Sequence, residues 1–269
     1  MRKKIIFGVF ISLVLLVIYA PLLLILIFSF SENSTMSLGN FDFGFGLFRD
    51  LFAHRDIMPA FRNSLILATV SAGIATIIGT MACLTILHMS NRKRRATIAL
   101  NNTPLITADI VIAFALSLFF TALGIFNQGW FTLIVSHTLI TLPIVAIMVL
   151  PRLKAIDPNL FEASMDLGAT PTRAFWGTLV PQLIPAMVIA FLLGFTFSMN
   201  DFIISFHNNG GGEVMTISMI VYTARGINYL ALFRALSTIM IGIVITGVLL
   251  YNLLSWRRNK RKKKLLKNY

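Results

Sequence analysis

Six long apolar stretches constrain this chain more than any other feature. They cover roughly residues 5–30, 63–88, 103–125, 131–150, 183–206 and 235–256. A helix needs about 20 apolar residues to cross a bilayer core, and each stretch approaches or exceeds that length. The runs are continuous rather than alternating, which favours helices over barrel strands. The expected fold class is therefore an all-α integral membrane protein with six transmembrane helices. The second stretch carries Ala68, Ala72, Gly73, Ala75, Gly79 and Ala82. Small residues of this kind either let neighbouring helices approach closely or sit at the surface with no special contact.

The polar remainder agrees. Charged residues make up 12% of the chain and hydrophobic residues 57%, against about 25% charged in a soluble domain. A soluble globule is excluded, and so is disorder, which requires low hydrophobicity. The net charge of +13 would, in a soluble protein, point to nucleic acid. The location of the charges argues otherwise. Lys and Arg concentrate at the N-terminus (Arg2, Lys3, Lys4), in the 91–95 loop, in the 151–180 loop (Arg152, Lys154, Arg173) and in the 257–269 tail. The alternate loops carry only Arg49, Arg55, Arg62, Arg225 and Arg234. By the positive-inside rule both termini are cytoplasmic. The tail reads as a topology lock against anionic lipid headgroups. No aromatic residue interleaves its basic run, so nucleic acid is not expected as a partner. The first apolar run exceeds a signal-peptide core and has no small-residue cleavage site, so it is expected to remain as the first span.

Enzyme constellations are missing from the sequence. The four histidines are dispersed, the single cysteine, Cys83, excludes a paired-cysteine metal site, and neither a GxSxG elbow nor a GxxxxGK[ST] phosphate loop occurs. No catalytic residue, metal or cofactor is assigned to this chain, and any ATP and magnesium would belong to a separate ATPase.

Two acids stand in apolar surroundings. About 21 Å of continuous helix would separate Arg95 from Asp109, placing that carboxylate well inside the hydrocarbon. Asp201 follows Ser198, Met199 and Asn200 near the outer end of the fifth stretch. A charge at mid-membrane costs about 2.5–3.5 kcal/mol on insertion scales, so such residues face a protein interior or a wet path. One reading places Asp109, Asp201, Ser198 and Asn200 along a cation pathway. Others make Asp109 a structural hydrogen-bonder or a neutral acid, and let Asp201 reach interfacial water. The outer segment 208–234, with Gly210, Gly211 and Gly212, either dips into the membrane or lies on it.

The cytoplasmic loop at about 151–181 carries the strongest local pattern. Residues 159–167 form an expected short amphipathic helix, ended by Gly168 in a left-handed conformation. Thr170 is the expected N-cap of a second helix that starts at Pro171. Two short helices joined by a sharp turn make a rigid knob that can dock on a cytosolic partner.

That loop resembles the EAA motif of ABC importer permeases: Glu-Ala-Ala, three residues, Gly, nine residues, Ile, one residue, Leu-Pro. Glu162, Ala163, Gly168 and Pro181 match it, while Ser164, Thr178 and Val180 depart. The resemblance extends over nearly the whole chain to the PotC-type permeases of spermidine/putrescine importers. Leu100–Val111 is similar to that group's Pro-Asp-Ile/Val segment, with Ala108 replacing Pro. Ser198–Asp201 resembles its Ser-x-Asp-Asp stretch, with Asn200 replacing the first Asp. Arg234–Ile239 resembles the start of its last span, and Leu232 stands where members often carry Glu.

The resemblance implies a type I ABC importer (MetI-like) permease fold, with residues 1–269 as one permease domain in a bacterial cell membrane. It implies a polyamine substrate, a second homologous permease forming a heterodimer, an ABC ATPase dimer and an extracytoplasmic substrate-binding protein. Glu162, Ala163, Ser164, Asp166, Leu167, Gly168 and Pro181 would couple this chain to the ATPase. Read from the residues alone, a permease for another small solute, a stand-alone cation channel and a secondary carrier all remain open.

Overall fold

The structure, a computed structural model, describes residues 2–33, 39, 41–124, 129–157, 159–224, 229–242, 245, 246 and 249. The basic tail and the end of the sixth expected span lie outside these residues. Regular structure among the described residues is helical, apart from one isolated antiparallel bridge between Ser31 and Phe43.

In chain order the helices are α1 (Arg2–Phe28), α2 (Gly46–Ala53), α3 (Ile57–His88), α4 (Asn91–Ile106), α5 (Asp109–Ala122), α6 (Trp130–Lys154), α7 (Asn159–Asp166), α8 (Pro171–Ala174), α9 (Val180–Asn200), α10 (Ile203–His207) and α11 (Ile217–Thr223). A further apolar helix, α12, covers Tyr229–Gly242. Four segments are long and apolar enough to cross a membrane: Phe10–Phe28, α3, α6 and Pro171–Asn200. The α4–α5 pair adds a fifth if its two halves count as one span. The sixth expected span begins within α12.

Two compact units divide the chain, residues 1–58 with 224–269, and residues 59–223. In the first, apolar side chains along α1 such as Leu13, Leu16 and Val17 are exposed, as suits a helix that meets lipid. The chain after α1 folds back on itself through Glu32 N–H to Asp42 O and Gly44 N–H to Phe30 O. This places Phe30 against Phe43, Phe45 and Phe48, with ring centroids 5.3–5.9 Å apart. Leu232 and Arg234 of α12 are both buried, and an Arg234 Nη donates to the carbonyl of Asn33 at 3.3 Å.

The second unit is built around α6 and α9, packed side by side. Their apolar core joins Val145, Val149 and Leu153 to Leu183 and Ala190, with Ala75, Cys83 and Ile86 of α3 closing it. Part of the small-residue pattern of α3 serves this packing. Ala68, Ala72 and Ala75 are fully buried, and a Cβ on Gly79 would meet Val145 at 2.7 Å. Gly73 meets nothing within 4 Å, and Ala82 is exposed. Gly194 of α9 lies so close to Thr141 of α6 that any side chain there would collide with it. Without a strong hydrophobic drive between helices in lipid, such close approach is what holds them together.

Three expectations need correction. The third apolar stretch is not one straight helix, because α4 and α5 meet at a bend of 107° across Thr107 and Ala108. The 21 Å projection that put Asp109 deep in the hydrocarbon therefore fails. The basic 91–95 stretch is not a loop but the first turn of α4, with Arg94 donating to Asn91 Oδ1 at 2.6 Å. Its cations stand at the positive end of the helix dipole, an arrangement that local helix energetics alone disfavours. The fifth span stops at Asn200, where Asp201 turns to extended backbone (φ −70°, ψ 126°), and α10 restarts the chain two residues later.

Candidate functional site

The break after α9 and the bend before α5 bring the two sequence-predicted acids to one place. Asp109 and Asp201 both line a cavity of about 410 Å³. Asn200 and Thr196 add polar groups, and Leu105, Ile112, Ile140 and Phe197 supply an apolar wall. Among the described residues, none that lines this cavity is cationic. Asp109 is exposed and opens α5 as its first residue, where the positive end of the helix favours a carboxylate.

Asp201 is anchored by the turn it makes. Its carboxylate accepts the backbone N–H groups of Ile204 at 3.3 Å and Ser205 at 2.8 Å, and the Ser205 hydroxyl at 3.0 Å. Its carbonyl accepts the Ser218 hydroxyl at 2.5 Å. Asp201 therefore holds the first turn of α10 and is tied to α11. Asn208, fully buried, continues the joint. Its side-chain amide donates to Ile204 O at 3.0 Å and Ala113 O at 3.5 Å, and its backbone carbonyl accepts Thr132 Oγ1–H at 2.9 Å. That chain of bonds joins α10 to α5 and to the start of α6.

Ser198 points away from the cavity. Its Oγ lies 2.7 Å from His137 Nδ1 and 3.3 Å from Ser71 Oγ, in a buried polar layer shared by α3, α6 and α9. His137 is the residue that sequence reasoning missed. It is fully buried, with Nε2 3.1 Å from Ser205 Oγ and 3.5 Å from Asp201 Oδ2. A lone histidine in an apolar helix gives no local sign of partners 61 and 68 positions away.

The outer segment after α10 folds back onto α3. Asn63 Nδ2 donates to Met215 O at 3.1 Å, and Ile217 N–H donates to Ser64 Oγ at 2.8 Å. Val214 and Ile217 are buried, so this stretch packs against the protein rather than lying free.

At the opposite ends of α3 and α6 the knob takes the expected form. Glu162, Ala163, Ser164 and Asp166 lie on α7. Gly168 has φ +87°; its N–H donates to Met165 O at 2.8 Å, and Ala169 N–H donates to Ser164 O at 3.2 Å. This is a Schellman closure, which a residue with a Cβ enters only under strain. Thr170 Oγ1 accepts Arg173 N–H at 3.4 Å and Pro171 occupies the first turn, so the second helix starts where the sequence places it. Five π-helical residues, Phe175–Leu179, then lead into α9 through Pro181. Arg152 Nε donates to Gln182 O at 3.2 Å and ties the end of α6 to this start. Leu167 is 90% exposed and Trp176 64%, leaving the tip of the knob apolar and uncovered. Behind it, Phe161, Glu162, Leu84, Leu153 and Phe175 border a hollow of about 650 Å³.

Comparison with known proteins extends this picture. Residues 75–261 match the family model described as binding-protein-dependent transport system inner membrane component. A spermidine/putrescine transport system permease protein PotC homolog of Mycoplasma genitalium is 30% identical over 274 residues, covering 97% of this chain and 94% of that protein. The putrescine transport system permease protein PotI of Escherichia coli K12 is 28% identical over 251 residues, covering 91% and 89%. In fold, the chain is similar to a subunit of a bacterial alginate ABC transporter crystallised with an alginate pentasaccharide-bound periplasmic protein. The TM-score is 0.67 at 17% identity, with 93% of each chain covered.

Proposed function

Because this chain belongs to the family of binding-protein-dependent transport system inner membrane components, we propose that it conducts a polyamine of the spermidine or putrescine class into the cell. The observation that carries the substrate is the cavity. Two carboxylates, an amide and a hydroxyl face one space with an aliphatic and aromatic wall and, among the described residues, no lining cation. A linear alkylammonium needs those features: acceptors for its N–H groups and apolar surface for its methylenes. The relatives named above carry polyamines in their names.

In this reading Asp109, Asp201 and Asn200 contact the solute as it passes, and Ser198 supports them from the buried layer behind. The chain acts as one permease domain in a bacterial cell membrane, with both termini in the cytoplasm. It pairs with a second, homologous permease as a heterodimer and receives solute from an extracytoplasmic binding protein. ATP and magnesium bind on a separate ATPase dimer, and this chain holds no cofactor. The α7 knob, from Glu162 to Gly168, seats in the ATPase. Leu167 enters an apolar groove there, and Pro181 fixes the start of α9 that carries the movement upward.

Reconstitution tests the assignment. The purified chain alone in liposomes is expected to take up no radiolabelled spermidine. The chain with its partner permease, ATPase and binding protein is expected to take it up only with ATP. Uptake by the chain alone would identify a carrier or channel and refute the importer.

A further inference from the structure

The carboxylate of Asp201 is held unevenly. Oδ2 accepts both the N–H and the hydroxyl of Ser205 and has His137 Nε2 at 3.5 Å, whereas Oδ1 has the Ile204 N–H at 3.3 Å. A carboxylate offers about four lone-pair sites, so the spare capacity is on Oδ1. Asp201 belongs to the cavity wall, while His137 is wholly buried behind it. We assign the histidine proton to Nε2, which donates to Ser205 Oγ at 3.1 Å while the Ser205 hydroxyl donates to Asp201 Oδ2 at 3.0 Å; Nδ1 then accepts from the Ser198 hydroxyl at 2.7 Å.

We propose that His137 is a positioning residue of the cation pathway. Through Ser205, whose hydroxyl it fixes toward Oδ2 of Asp201, it leaves Oδ1 as the oxygen offered to a cation in the cavity. The inference rests on the transport reading above and adds a residue that never meets the solute. His137 belongs to α6, Asp201 follows α9, and Ser71 of α3 lies behind Ser198. The orientation of one carboxylate is thus set by the packing of three long helices.

Initial rates of radiolabelled spermidine uptake test this, in cells expressing the full chain with its partner subunits at matched membrane levels. His137 acts on the carboxylate through the Ser205 hydroxyl, and a tenfold change in affinity corresponds to about 1.4 kcal/mol. His137→Leu is expected to raise KM about tenfold, with maximal rate per chain within about twofold. His137→Gln, which restores an N–H donor, is expected to recover most of that loss. Ser205→Ala removes the hydroxyl that links His137 to Oδ2 and is expected to raise KM as well.

An unchanged KM for His137→Leu overturns the proposal. So does a fall in maximal rate at constant KM that Gln does not recover, which marks a purely structural role. If His137→Leu fails to reach the membrane, Ser205→Ala decides, and a wild-type KM there overturns it. Asp201→Asn separates the two layers of the argument. A wild-type KM in that variant sinks the cavity reading itself, whereas a raised KM beside an unaffected His137→Leu sinks only the role of His137.

Discussion

His137 Nε2 stands 3.5 Å from Oδ2 of Asp201 and joins the buried face of α6 to the break between α9 and α10. The contact ties an acid of the cavity wall to the interior of the helix pair that forms the core. At the other ends of these helices, Arg152 bonds the Gln182 carbonyl and couples α6 to the entry of α9. The packing of α6 against α9 thus extends from the neighbourhood of the α7 knob to the cavity.

The knob depends on a turn that only glycine enters freely. Gly168→Ala places a Cβ at φ +87°, which costs about 1–2 kcal/mol, and the turn between α7 and α8 is expected to loosen. Glu162→Lys reverses a charge on the exposed face of α7. Both variants are expected to insert normally and to lose most ATP-driven uptake, with ATP hydrolysis no longer stimulated by loaded binding protein. Normal uptake by Glu162→Lys in the assembled transporter would remove the coupling role.

Helix contact within the core turns on Gly194. Gly194→Ala forces its Cβ into Thr141, and overpacking of this kind costs about 1–3 kcal/mol. Thermal unfolding of the detergent-solubilised chain is expected at a lower temperature. Gly73→Ala has open space within 4 Å and is expected to unfold as the parent does. Equal stabilities for the two variants would contradict the close α6–α9 approach.

The proposed orientation rests largely on Arg92, Lys93, Arg94 and Arg95 at the start of α4. With buried Cys83 replaced by Ser, a Cys introduced at exposed Ser90 is expected to react with a membrane-impermeant maleimide only from the cytoplasmic side. Replacing the four basic residues with Ser is expected to weaken that bias. Labelling of the parent from outside would invert the topology.

Local features were legible in the sequence. The Gly168 turn and the Thr170–Pro171 start each depend on a few neighbouring residues, and the structure has them in place, as it has helices over the first, second and fourth apolar runs. The bend at Thr107–Ala108 was not legible, because neither residue is glycine or proline and Pro104 lies inside α4. What accompanies the bend is distant: Asn208 bonds Ala113 of α5. Asp109 and Asp201 were visible as misplaced charges, but their sharing of one cavity depended on that bend and on the break after α9. His137 escaped notice because burial and its serine partners, not its neighbours in the chain, give it meaning.

The central claim is that Asp109 and Asp201 together carry a cation through this subunit. ATP-dependent uptake of radiolabelled spermidine by the reconstituted transporter, comparing the parent with an Asp109→Asn and Asp201→Asn double variant, tests it most directly. The account expects a fall of about a hundredfold in uptake efficiency, from the loss of about 1.5 kcal/mol or more at each carboxylate. The double variant should still assemble with its partners and hydrolyse ATP. Uptake equal to the parent, at equal amounts of assembled transporter, would contradict it.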